Sequence, residues 1–162
     1  MAISDLMLKM IKYSNGNIHD INHFIKVWTF AKTIAEMEKV DAETKFILEV
    51  VAITHDIACP LCREKYGNTN GKYQEIEGEK LVKEFLKDTD LTNEQIERIA
   101  YLVAHHHTFK EIKDIDYQIL IESDYIVNAE ETNYSKENIR NFSEKFFKTK
   151  TGLNLLKSIY GI

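Results

Sequence analysis

Across 162 residues there is one proline, Pro60, and there are six glycines. Gly16, Gly67, Gly71, Gly152 and Gly161 fall between stretches of helical apolar spacing; Gly78 alone falls inside one. Proline inside a helix removes a hydrogen bond and clashes with the preceding turn, and glycine there costs roughly 1 kcal/mol relative to alanine. A chain so poor in breakers is expected to fold as long helices, and no alternating apolar/polar run demands a strand. The length suits one domain able to bury about 70% of its unfolded surface. The expected fold class is therefore all-α, a single multi-helix bundle.

The spacing predicts a short helix over 3–13 and a second over 17–39, with Ile21, Ile25 and Trp28 on one stripe and His23, Val27, Phe30, Ile34 and Met37 on the adjoining one. A third runs from Ala42 to Ile57 with Asp41 as its N-cap. Residues 58–71 read as a loop around Pro60, Gly67 and Gly71. Further helices are expected over 72–88, from a capping box at Thr92-Asn93-Glu94-Gln95 up to the histidines, over 115–130, and then over 135–148 and 151–160.

The third helix is nearly continuous in apolar residues, Phe46-Ile47-Leu48-Glu49-Val50-Val51-Ala52-Ile53-Thr54, and closes on His55-Asp56. A helix apolar almost all round is a buried one. A carboxylate at its end needs a cation or several hydrogen bonds to offset its desolvation. Partners exist on other apolar helices: His23 upstream, and His105-His106-His107 and Asp124 downstream. Consecutive helical residues spread over about 300°, so at least one histidine of the triplet must face inward. Imidazoles and carboxylates on facing helices are how helical proteins build metal sites. A mixed nitrogen/oxygen set suits a divalent transition metal (Mn, Fe, Co, Ni or Zn) better than Ca.

The net charge of −5 argues against a nucleic-acid scaffold, though a metal would supply local positive charge for a phosphorylated small molecule. No apolar stretch approaches the roughly 18 residues of a membrane span, and Asp5 and Lys9 interrupt the N-terminal apolar residues where a signal peptide would need none. A cytoplasmic location is the expectation. Cys59 and Cys62 are too few for a disulfide framework or a structural zinc site.

Three stretches resemble the HD-domain metal-dependent phosphohydrolases: "HDINHFIKVWTFAKTIAEME", with His23 at the first ligand position; "FILEVVAITHDIA", with His55 and Asp56 at the eponymous motif; and "ILIESDYIVNAEE", with Asp124 at the last. The runs "GNTNGKYQEIEGEKLVKEFL" and "YLVAHHHTF" are similar to small bacterial HD proteins. The resemblance covers about residues 18–131, with the C-terminal helices of 135–160 packing on that core. It implies a buried metal between helices, held by His23, His55, Asp56 and Asp124. It also implies hydrolysis of a phosphoester or phosphoanhydride of a small phosphorylated substrate such as a nucleotide. Asp56 would orient the attacking water or bridge two metals.

The chain departs from the family pattern at three places. Gln74 stands where many members carry a further histidine, so one tightly held metal is favoured, a second using His105 and His106, with Glu77 as a further candidate. Ala58, Cys59 and Pro60 stand where some nucleotidases place a general-base glutamate, which leaves His105, His106 or Glu77 as substitutes. Lys26 replaces an arginine and meets phosphate only as a point charge. Lys26, Gln74 and Glu77 are thus the candidate substrate contacts, and Asp56, His105 and His106 the candidate catalytic groups. Two other readings stay open: a non-catalytic metal- or nucleotide-binding regulatory module, and a di-iron oxygenase. The C-terminal apolar residues Phe146, Phe147, Leu153, Leu155, Leu156, Ile159 and Tyr160 would cap the core or serve a homodimer.

Overall fold

The computed structural model describes all residues, 1–162. Nine helices follow one another with no strand: α1 (Ile3–Tyr13), α2 (Ile18–Met37), α3 (Ala42–Thr54), α4 (Cys59–Tyr66), α5 (Gly71–Leu86), α6 (Asn93–His105), α7 (Ile115–Glu131), α8 (Lys136–Phe146) and α9 (Lys150–Tyr160). None is long and apolar enough to cross a membrane.

Local chemistry starts these helices where the sequence signals lie. The Asp41 side chain accepts from Thr44 N at 2.9 Å and opens α3. Thr92 and Gln95 form a reciprocal capping box at the head of α6. One expectation fails: residues 58–71 are not all loop. Cys59–Tyr66 forms a helix with Pro60 in its first turn, where the missing N–H would have had no partner anyway. Gly67, at φ 73°, ends it in the left-handed conformation. Tyr66 then stacks on Tyr73 at 3.9 Å across the turn between α4 and α5. Both cysteines are buried and free.

α3 packs against α1, α2, α6 and α7, and α2 against α7. The most deeply buried element is α7, every residue of which from Asp116 to Val127 is buried. A fully buried leucine or isoleucine contributes about 1.5–3 kcal/mol. An uncompensated buried charge costs several kcal/mol and would cancel two of them. Two of the buried acids of α7 are accordingly met by protein donors. Asp116 takes Nε and Nη2 of Arg98 at 2.9 and 2.6 Å. Glu122, wholly buried, accepts from Gln118 Nε2, Lys148 N, Thr149 N and Thr149 Oγ1.

α5 lies along α6, and Gly78 explains the closeness of that contact: a Cβ there would stand 2.8 Å from Val103 Cγ1. Of the C-terminal apolar residues, Phe147 and Leu156 are buried, and Leu153, Leu155 and Tyr160 pack against the core. These cover the bundle; Ile159 remains exposed.

Candidate metal centre

The C-terminal end of α3, the first half of α2 and the middle of α7 bring four polar side chains together. His23 Nε2 stands 3.1 Å from His55 Nε2, 3.1 Å from Asp56 Oδ2 and 3.2 Å from Asp124 Oδ1. His55 Nε2 stands 3.5 and 3.4 Å from the same two oxygens. Donor atoms each about 2.1 Å from a common ion would be separated by about 3.0–3.4 Å in octahedral or tetrahedral arrangement, so the spacing suits a single cation.

The orientation of each ring follows from what lies behind it. His55 Nδ1 donates to Ala52 O at 2.8 Å and His106 Nδ1 to Val103 O at 2.7 Å. A carbonyl only accepts, so both rings carry hydrogen on Nδ1 and turn Nε2 to the interior. Behind His23 the acceptor is a carboxylate: Nδ1 lies 2.8 Å from Glu131 Oε2.

Charge supports the same assignment. Burial opposes ionisation of Asp56 and Asp124, yet the neighbouring His55 and His23 hold both carboxyls well below the usual range. Burial likewise opposes charge on His23, and Asp56, Asp124 and Glu131 together overturn it and raise its pKa. Two ionised carboxylates under the surface thus draw positive charge to this point. Asp124 Oδ1 and His106 Nε2 are buried without a hydrogen-bond partner, a rare condition that a bound cation relieves. Nitrogen and oxygen donors in one set fit a divalent transition metal.

A second donor set adjoins the first. Asp56, His106 and His107 lie close enough to share an ion, and His106 Nε2 is 3.3 Å from Asp56 Oδ1, the oxygen that faces away from His23. Gln74 reaches this side differently from a ligand: its Nε2 donates to Thr69 O at 2.7 Å, and its Oε1 accepts from His107 Nε2 at 3.1 Å. Burial and the adjacent His106 push His107 down to about 4.

Several sequence candidates stand elsewhere. His105 bonds Tyr101 O through Nδ1 and stacks on the Tyr101 ring at 4.0 Å; it belongs to neither donor set. α6 ends at His105, and the chain then turns, so it is His106 and His107 that face the centre. Lys26 is drawn to Glu130 and Glu131, at 3.5 and 3.4 Å. Glu77 is held by Lys65 and Tyr66, each at 2.7 Å. Neither lines the polar chamber of about 140 Å³ that opens over the centre. His107 of the triplet does line it, and so do Arg63, Asn128 and Glu131, which sequence reasoning missed. Arg63 grips Asp20 through both Nη atoms at 2.8 and 2.6 Å. Its one legible signal was a planar cation just after the His-Asp pair.

A family model described as HD domain matches residues 20–141. No curated protein matches the chain. Among solved structures, the chain is similar to the crystal structure of a predicted HD superfamily hydrolase from an uncultured Thermotogales bacterium. The two share 19% identity with a TM-score of 0.73, over 98% of this chain and 84% of that one. At that identity the likeness speaks to the fold.

Proposed function

The chain belongs to the HD-domain family, and from that premise we propose that it is a metal-dependent phosphohydrolase cleaving a phosphoester or phosphoanhydride of a nucleotide or similar small phosphorylated compound. The observation that carries this reading is that His23 Nε2 and His55 Nε2, 3.1 Å apart, each stand 3.1 to 3.5 Å from one oxygen of Asp56 and one of Asp124. These four residues would hold the metal, and Asp56, His106 and His107 would hold a further ion. When bound, a divalent cation supplies positive charge for the phosphoryl oxygens and acidifies the attacking water.

The protein's own residues do the rest. Hydrogen bonds behind His23 and His55 keep both Nε2 atoms aimed inward. Asp56 presents one oxygen to His23 and the other to His106, which lets a single carboxylate orient a nucleophile between them. Burial opposes charge on His106, Asp56 raises its pKa, and its Nε2 stands 3.3 Å from Asp56 Oδ1. Arg63 lines the chamber with its guanidinium, a planar cation that matches phosphate oxygens in pairs. Leaving Asp20 for the substrate exchanges one bidentate carboxylate partner for a phosphoryl group of the same geometry.

The test is phosphate release from a panel of nucleotides and sugar phosphates with Mn²⁺, Fe²⁺, Co²⁺, Ni²⁺ or Zn²⁺ added. Multiple turnovers with at least one metal, abolished in Asp56→Ala, are expected. No turnover with any metal, or full activity in Asp56→Ala, overturns the reading.

A further inference from the structure

Beside the polar chamber lies a second cavity of a different kind. It has a volume of about 430 Å³, and His107, Asp124 and Asn128 line both spaces. One face of α7 forms its floor: Ile121, Asp124, Tyr125 and Asn128 follow the i, i+3, i+4, i+7 spacing that places residues in a single stripe. The walls are aromatic. Tyr125 stacks on Phe142 at 3.7 Å with the rings nearly parallel, and Phe109 meets Phe142 edge-on at 5.4 Å. Phe109 is 39% exposed, at the rim. Asn138 Oδ1 accepts from Tyr125 OH at 2.6 Å, which leaves the amide N–H groups as its remaining polar offering.

From this we infer that the aromatic recess is the subsite for the organic part of the substrate, and that it takes an uncharged planar heteroaromatic ring, so that the compound is of the nucleoside monophosphate kind. The inference rests on the phosphohydrolase reading for the placement of the phosphoryl group in the polar chamber. No lysine or arginine lines the recess, so nothing there would neutralise a second phosphoryl group. Flat aromatic walls with a few placed amides are how proteins hold planar ligands and fix their orientation. The neighbouring polar chamber is too small for the ring as well as a phosphoryl group, and its lining is almost wholly polar. A ligand anchored there and extended past Asp124 enters the recess, which shares His107, Asp124 and Asn128 with the chamber.

Kinetics and binding on the metal-loaded protein test this, using the 5′-monophosphates of adenosine, guanosine, cytidine and uridine against ribose 5-phosphate, which lacks the ring. At least one nucleoside monophosphate should be turned over with a KM at least tenfold below that of ribose 5-phosphate. Phe109→Ala should raise that KM severalfold or more and leave ribose 5-phosphate within twofold. Asn138→Ala, at an exposed position, should alter the ranking among the four bases, and it serves if Phe109→Ala does not fold. Equal KM values with and without the ring, or variants that change both substrates alike, overturn the recess while leaving phosphate release intact. Absence of turnover on every compound removes the phosphohydrolase reading instead. Saturation-transfer NMR then decides the recess: stronger transfer to base protons than to ribose protons, lost in Phe109→Ala, supports it, and no transfer to base protons overturns it.

Discussion

His23 and Glu131, 108 residues apart, meet through the ring nitrogen that faces away from the centre: His23 Nδ1 lies 2.8 Å from Glu131 Oε2. Burial opposes charge on this carboxyl, but His23, Lys26 and His19 hold its pKa below the ordinary value. An ionised carboxylate only accepts, so His23 must carry hydrogen on Nδ1 and offer Nε2 to a cation. Such outer partners fix the orientation and basicity of a ligating ring. Glu131→Ala is expected to weaken metal binding by roughly 10- to 100-fold. Glu131→Gln, which keeps an acceptor oxygen, should lose less. Competition against a fluorescent chelator measures both, and unchanged affinity in Glu131→Ala would show that the pair does not tune the site.

Metal should also be visible in stability. A ligand that binds only the folded state stabilises it by about 2.7 kcal/mol when present at 100 times its Kd. Saturating Mn²⁺ or Co²⁺ should therefore raise the unfolding midpoint of the wild type, and a chelator should reverse the rise. His23→Ala and Asp124→Ala remove donors from the four-residue cluster, so the rise should largely vanish in both. Thermal scans with and without metal make the comparison. A rise of equal size in both variants would place the ion elsewhere.

Gly78 is set by a neighbour rather than by a turn. Gly→Ala inside a helix ordinarily stabilises by about 1 kcal/mol. Here the new Cβ would stand 2.8 Å from Val103 Cγ1, and overpacking of this kind costs about 1–3 kcal/mol. Gly78→Ala is expected to be neutral to destabilising, and Val103→Ala to rescue part of the loss by removing the opposing methyl. Urea denaturation of the two single variants and the double variant reads the coupling.

Glu122 gives a pH signature. Its burial outweighs four hydrogen bonds and raises the carboxyl pKa above the ordinary 4.5. A folded-state pKa above the unfolded one means that the native state binds more protons. The contribution is complete below about pH 4.5 and is lost as pH rises through the folded-state value. The stability of the wild type relative to Glu122→Gln should therefore fall as pH rises above that point. Denaturant midpoints across a pH series give the difference directly, and a difference that rises with pH would reverse the sign assigned to burial.

Gly152 packs against the same acid. A Cβ there would fall 1.9 Å from Glu122 Oε1 and 2.7 Å from Thr149 Oγ1. Thr149 caps α9 by accepting from Gly152 N while its hydroxyl donates to Glu122. Gly152→Ala is thus expected to break a buried polar cluster and cost at least about 1–3 kcal/mol, measurable as a lower unfolding midpoint.

Much of the fold was legible because its signals are local. The cap at Asp41 and the box at Thr92 act over three residues. α4 was missed because Pro60 reads equally as a loop breaker or as a first-turn residue, and only the packing of α4 on α5 decides between them. Within the histidine triplet, His105 was paired with His106 in place of His107 for a related reason. Angular spread assumes that the helix continues, whereas α6 stops at His105 and the turn carries His107 to Gln74. Lys26 and Glu77 looked available because the acids and bases that claim them were not visible as neighbours.

The residues alone determined the helical class, the positions of most helices and the kinds of donor available for a metal, since each follows from side-chain spacing and donor type. Only the tertiary structure decided which nitrogen of His23 faces inward, which two histidines of the triplet join Asp56, and that an aromatic recess adjoins Asp124. Those outcomes depend on partners brought together from α2, α3, α6, α7 and α8. Burial makes each such pairing energetically decisive, yet no short-range pattern along the chain records it.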